Sequence, residues 1–483
     1  MRMSRFLHPM PAFAVAALAL AGVAQAARPD PVVRAAAPAG VIRHVMVIDL
    51  ENENYSVTFD PVNSPAKFLN GTLLQQGELI PNYFGTSHVS LGNYVAQVSG
   101  QGTNPSLNVD CLNLTPPVNL AHLLGGYTDV VPGVDATDQA SFPGQVVGNG
   151  CVFPAPGAGQ RGALTIGDQL ERKYGRDHDD DAVVWREYAE DMGNDLSRDY
   201  GTPDRLLIGA DCAHPAIGGV DQSNSAAAND QYATRHNPFM YFYSVIDDSA
   251  SCNRHVVPLG TLNVGTGGAP DVFAGHLYRD LRHLETTPKF MFVTPNLCND
   301  GHDATCAAPN VEGTVNSAGK NAGGLVSLDL WLKHWMPMIF ASPAYQSGEL
   351  LVVITFDEAS PTGDARACEK TNQADCHSPV GPNITDPGYS PILSLLGVPG
   401  YTDPGTTPYV RAGGGQVGAV LFNKRLIVPG TVNTSGSYNH YSALRSYEDL
   451  LGLTEGGDDG LGHLGYAGVA GLQPFGPDVF NRL

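Results

Sequence analysis

Three apolar runs along this chain stop abruptly at an acid or an amide. IRHVMVIDL (42–50) leads into Glu51-Asn52, KFMFVTPN (289–296) leads into LCNDGHD, and ELLVVITFDE (349–358) closes on Asp357-Glu358. Largely apolar runs of this kind fit strands buried on both faces. FMYFYSVID (239–247) reads as a further strand, and SPILSLLGV (390–398) and QVGAVLF (416–422) as weaker ones. Amphipathic stretches lie between them, among them LTIGDQLERKYG (164–175) and GGLVSLDLWLKHWMPMIF (323–340). Buried strands alternating with helices predict an α/β fold, with a largely parallel central sheet flanked by helices.

The chain has 483 residues, 42% hydrophobic and 16% charged, enough for a sizeable core. Its formal net charge of −21 argues against nucleic acid or an anionic membrane as an electrostatic partner. A phosphate-bearing substrate would then need a local positive centre, for which a metal ion is suited. Residues 1–26 carry Arg2 and Arg5, an apolar stretch and Ala24-Gln25-Ala26, the pattern of a secretory signal peptide. That stretch is short for a membrane span, so the mature chain is expected to be soluble and either secreted or periplasmic, with no integral membrane segment after cleavage. Residues 27–40 read as a flexible Ala/Pro-rich leader and 41–483 as a single domain. The even count of eight cysteines in an exported chain implies disulfides. A sequential pairing, 111–151, 212–252, 298–306 and 368–376, is one of the many connectivities available. The Gly/Pro/Asn-rich segments 103–160, 200–230 and 359–390 read as surface loops, some tied by these bridges.

In open α/β sheets ligands bind beyond the carboxyl ends of the strands, so the polar ends of the three runs are expected on one rim. Glu51, Asn52, Asp357, Glu358, Asp300 and Asp303 offer hard oxygen ligands suited to Ca²⁺, Mg²⁺ or Mn²⁺, and nearby histidine admits Zn²⁺ or iron. Each feature also has a plainer reading. Acids after a strand can be solvated or cap a helix, His302 can belong to a loop network, and His440 can simply begin a helix. In SHVSLGNYVAQVSG (87–100), apolar residues at Leu91, Tyr94, Val95 and Val98 have helical spacing, which puts Ser90 at an N-cap. A capping serine is one reading. The other is a nucleophile: a helix N-terminus stabilises anions, and a metal beside a serine lowers its pKa.

These residues resemble the phosphoesterase family that holds secreted acid phosphatases and bacterial phospholipases C, within the alkaline phosphatase superfamily. HVMVIDLENENYS (44–56) is similar to its opening strand and Glu-Asn signature, and SHVSLGNYVAQVSG to its nucleophile segment, with Val89 and Gly92 where prolines are usual. The likeness continues in WREYAEDM (185–192), RHNPFMYF (235–242), TPNLCNDGHD (294–303), ITFDEAS (354–360) and YNHYSALRSYEDLLGL (438–453). The resemblance implies an alkaline-phosphatase-like fold and a divalent metal held by Glu51, Asn52, Asp357 and Glu358. It implies Ser90 as the nucleophile that forms a phosphoserine, and Asn93 as a donor to a phosphoryl oxygen. His302 and His440 would touch phosphate or protonate the leaving group, with Asp300 and Asp303 orienting His302 or holding a second metal. His236 is a substrate contact or structural, and His88 is similarly open. The expected function is a secreted, metal-dependent phosphomonoesterase acting on small phosphate esters; the alternative is a phospholipase C-type phosphodiesterase. Loops rich in Gly, Asn and Asp, with few clustered aromatics, weigh against a lipid substrate. A retained fold with a dead site is a third possibility, opposed by the presence of Ser90, both acid pairs and both histidines.

Overall fold

The computed structural model describes residues 40–111, 126–133, 140–157, 160–175, 183–206, 209–359 and 413–482. The apolar run after Gly40 forms β1 (His44–Leu50), buried at all seven positions. It lies near the middle of an eight-stranded sheet with β2 (Glu78–Ile80), β3 (Trp185–Ala189), β4 (Val256–Pro258), β5 (Phe290–Thr294), β6 (Leu350–Phe356), β7 (Ala419–Phe422) and β8 (Thr431–Val432). The spatial order is β8-β2-β7-β6-β1-β5-β3-β4. The run β6-β1-β5-β3-β4 is parallel, with Val47 opposite both Phe292 and Val353. Only β7 runs against its neighbours β6 and β2. The expected largely parallel sheet is present, and the carboxyl ends of β1, β5 and β6 stand side by side.

Helix α1 (Ser90–Ser99) is buried along its whole length and packs on α4 (His440–Leu451). Its own amphipathic pattern understates this, because α4 and neighbouring turns cover the face that the sequence leaves less apolar. Helix α2 (Ile166–Tyr174) begins at a Thr165/Asp168 capping box, and α3 (Gly324–Ala341) buries Leu328, Trp331, Leu332, Trp335 and Ile339. Cys111–Cys151, Cys212–Cys252 and Cys298–Cys306 are bonded as the sequential pairing predicts. Cys368 and Cys376, the segment 390–398, the signal peptide and nearly all of the leader lie outside the described residues.

Two expectations fail here. FMYFYSVID is not a strand: Pro238–Tyr241 is a 3-10 turn and Tyr243–Ile246 a short helix. A short apolar run carries no period, and Pro238 lacks the N–H a central strand would need. Its rings plug the core instead, Phe239 lying 4.4 Å from Trp185 and Phe242 5.3 Å from Phe153 between ring centres. The sheet takes WREYA (β3), whose two charges disguise it. Arg186 Nη1 donates to Asp280 at 2.6 Å, and Glu187 accepts from Thr294 at 2.8 Å, so both charged side chains are accommodated in the interior. Segment 103–160 is also no surface coil where it is described. Asn104, Gln145, Cys151 and Phe153 are buried. Side-chain amides satisfy the backbone there, Gln145 donating to Gly100 and Gln101 accepting from Val146.

Candidate active site

Glu51 follows the last residue of β1 and is buried, with its amide donating to the Asp300 carbonyl at 2.9 Å. Ser90 Oγ donates to Glu51 Oε2 at 3.0 Å. Ser90 is not the N-cap: Val89 holds that position and offers no side-chain cap, while Ser90 is the first helical residue. The serine hydroxyl is therefore not spent on its own helix and is directed at an acid from β1.

Asp357 and Glu358 continue β6 beside Glu51, since the Asp357 amide donates to the Leu50 carbonyl at 2.8 Å. Asn52 adopts a left-handed backbone, φ 36°, which aims its amide at Asp357 Oδ1 at 3.0 Å. One end of the Asn52 side-chain amide lies 3.2 Å from Asp357 Oδ1 and 3.2 Å from Glu358 Oε1. With nitrogen on that side it donates to both; with oxygen there, three oxygens converge as in a cation ligand set. His88 Nδ1 pairs with Glu358 Oε2. Two glycines allow this close approach. A Cβ on Gly85 would meet the Asp357 carbonyl at 2.7 Å, and one on Gly414 the Ser87 carbonyl at 2.2 Å.

On the other side of Glu51, His236 Nε2 lies 3.2 Å from Oε1 and its Nδ1 3.9 Å from Asp300 Oδ2. His236 is stacked on Tyr94, ring centres 5.2 Å apart. Four buried atoms of this group make no hydrogen bond: Glu51 Oε1, Asp300 Oδ2, Asp357 Oδ2 and His236 Nε2. Burial and mutual repulsion push the Glu51 and Asp357 carboxyls well up, and burial raises Asp300 to about 7. Buried acids crowded together with unpartnered oxygens match the donor set of a divalent cation, so the residues fit the metal the sequence implies. Asp303 is not part of this group. It sits at the surface with His302, Oδ1 to Nδ1 3.2 Å, their side chains 44% and 46% exposed. That contact pushes His302 up to about 9. A separate group, Asp204, Asp211 and His276, brings one ligand atom each within 4.8 Å of the others, and no sequence motif announced it.

A curated relative, the phosphate-repressible acid phosphatase of Penicillium chrysogenum, is 24% identical over 286 residues, 59% of this chain and 42% of the relative. Over that stretch the chain is similar to a phosphate-repressible acid phosphatase. The match spans less than half the length of that curated protein. No protein-family profile matches. Similar solved structures include a protein in the alkaline phosphatase superfamily from Vibrio parahaemolyticus, 10% identical over 89% of this chain and 71% of that one, TM-score 0.40. The PsFucS1 sulfatase from Pseudoalteromonas sp. is 12% identical over 85% and 68%, TM-score 0.34. The lipoteichoic acid synthase LtaP from Listeria monocytogenes is 10% identical over 88% and 74%, TM-score 0.34.

Two of the expected site residues have their polar atoms engaged within the protein. Asn93 is fully buried with its amide engaged by the nucleophile loop. Its oxygen accepts from the Thr86 and Ser87 amides at 2.8 and 2.9 Å, and its nitrogen donates to the Ser87 and Val89 carbonyls. It holds the loop that presents Ser90 rather than facing a ligand. His440, the first residue of α4, also has both ring nitrogens engaged. Nε2 donates to the Asp357 carbonyl at 2.6 Å and Nδ1 meets the Tyr83 hydroxyl at 3.3 Å. Burial lowers it to about 4, so it is neutral at ordinary pH and steadies Asp357. Sequence reading missed Tyr94, Arg235, Asp110 and the glycines at 85 and 414. Arg235 was the one with a signal, as a basic residue directly before His236.

Proposed function

We propose that this chain is a secreted, metal-dependent phosphomonoesterase acting through a phosphoserine at Ser90. The observation that carries the reading is the Ser90 hydroxyl, at a helix N-terminus, donating to Glu51 in a cluster of buried acids with unpartnered oxygens. Ser90 Oγ attacks phosphorus in line, the ester oxygen leaves, and water later hydrolyses the phosphoserine to phosphate and free serine. The hydroxyl proton already points at Glu51 Oε2. His302, protonated below about pH 9 and exposed at the rim, donates a proton to the departing alkoxide. His440 positions Asp357, and Asn93 positions the nucleophile loop. Glu51, Asn52, Asp357 and Glu358, with Asp300 and His236 adjacent, would hold a divalent cation, whose positive charge would lower the pKa of the serine and offset the acids facing a phosphate dianion. Secretion is supported by the three disulfides.

The test is hydrolysis of p-nitrophenyl phosphate, p-nitrophenyl phosphorylcholine and p-nitrophenyl sulfate by the disulfide-intact protein, with and without chelator. Chelator-sensitive cleavage of the monoester, lost in Ser90→Ala, is the expected result. Preference for the phosphorylcholine diester or the sulfate would replace the substrate class and keep the nucleophile. Unchanged monoester cleavage by Ser90→Ala would overturn the mechanism.

A further inference from the structure

We propose that Asp110 sets how tightly the Ser90 site holds a phosphate dianion, by placing a fixed carboxylate on the backbone donor beside the nucleophile. The inference rests on the reading of Ser90 given above and deepens it.

The N-terminus of α1 has no cap of its own, since Val89 provides none. Asp110 supplies one from another segment: its Oδ1 accepts from the Leu91 amide at 3.0 Å. The residue is presented by a 3-10 turn, Leu107–Val109, and adopts a left-handed backbone, φ 46°. It directly precedes Cys111, whose bond to Cys151 anchors the segment. Behind it stands Arg235, with Nε 3.9 Å from Asp110 Oδ2 and Nη1 donating to the Asn224 carbonyl at 3.2 Å. The Arg235 guanidinium also lies in the field of Glu51, Asp221 and Asp300, and the Asp110 carboxylate in that of Glu358. Asp110 is thus inside the electrostatic compass of the site, not remote from it.

Leu91 directly follows the nucleophile, so the Asp110 carboxylate held by its amide stands close to the residue that would carry the phosphoryl group. A helix N-terminus offers its donors to whichever anion is closer and better held. Asp110 is covalently part of the protein and braced by an arginine, so the incoming phosphate competes with it and is repelled by it. The physical consequence is weaker retention of dianionic product, which favours release over inhibition by inorganic phosphate. A neutral acceptor at 110 would keep the cap and remove the competition.

The experiment compares wild type with Asp110→Asn, an isostere whose oxygen still accepts from Leu91. The readouts are kcat and KM for p-nitrophenyl phosphate, Ki for inorganic phosphate, and Tm. Ki is expected to fall on the order of tenfold, with KM falling alongside it, and kcat to stay within about threefold. An unchanged Ki in the folded variant overturns the proposal, as does a loss of Tm with Ki unchanged, which would leave Asp110 a helix cap only. If Asp110→Asn does not fold, Asp110→Ser keeps a neutral acceptor and gives the same readouts. Calorimetry with inorganic phosphate separates the two levels. Wild type that neither hydrolyses the ester nor binds phosphate overturns the Ser90 reading and this one together, whereas active wild type with an unmoved Ki overturns only this one.

Discussion

Two acid pairs sit on the same rim of the sheet and differ in what holds them. Glu190 and Asp191 follow β3, and every carboxylate oxygen of the pair has a protein donor. Glu190 accepts from the Asn296 amide at 3.0 Å and from Asn299 Nδ2, and Asp191 from Asn296 Nδ2 at 2.7 Å and from Asn194. Glu51 and Asp357, at the ends of β1 and β6, each keep a buried oxygen without a hydrogen bond, the one on Glu51 facing His236 Nε2 at 3.2 Å. The residue types and the place in the fold are alike, but Glu190 and Asp191 are half-buried where Glu51 and Asp357 are fully buried. The first pair is architecture, which fixes the 296–300 loop that presents Asp300. The second pair retains the unsatisfied coordination that a cation and a phosphate ester would use.

The contrast is broken most sharply at the nucleophile. Ser90→Ala should lower kcat for p-nitrophenyl phosphate by at least about 10³-fold, with Tm essentially unmoved, because the hydroxyl holds no helix cap. Next come matched amides on the two pairs. Glu51→Gln should cost activity on the order of 10³-fold while leaving the metal-free protein as stable or more so, since it removes a charge that repels Asp357. Glu190→Gln should do the reverse. It turns an amide nitrogen toward existing donors and costs about 1–3 kcal/mol of stability, with a smaller loss of activity, read by thermal melts and kinetics on the same samples. Equal losses of stability in the two variants would erase the distinction.

The histidines sharpen the comparison at a smaller scale. His302→Ala should slow alkyl phosphates with poor leaving groups on the order of 10²-fold and slow p-nitrophenyl phosphate much less, because only the former need a proton. His440→Ala should instead lower stability and slow both substrates alike. The smallest effect lies away from the rim. Burial raises Glu78 to about 8, and its Oε2 is buried without a partner. The folded state therefore holds a proton that the unfolded chain releases above about pH 4.5. Stability from this group is present at acid pH and is lost as pH rises through about 8. Glu78→Gln should flatten the fall in Tm between pH 5 and pH 8 relative to wild type.

Much of this molecule was legible before folding. The three largely apolar runs that end in acids became β1, β5 and β6, because a strand buried on both faces carries few polar residues before the rim, and Asp49, a buried exception in β1, accepts from Gln97. Glu51, Asn52, Asp300, Asp357 and Glu358 were singled out for the same local reason, and Ser90 because helical spacing starts just after it. Charged β3 was not, since Asp280 and Thr294, which make its charges tolerable, are distant in sequence. Nor were the roles within the set. Whether a histidine carries a proton or steadies a neighbour depends on burial and on which atoms face its two nitrogens. Those facts placed His302 at the surface against Asp303 and His440 in the interior against Tyr83 and Asp357. The periodicity and the strand-end acids were local properties that the chain determined alone. Which oxygens are satisfied, and so which acids wait for a ligand, was decided only by the long-range packing that brings donors to some of them and not to others.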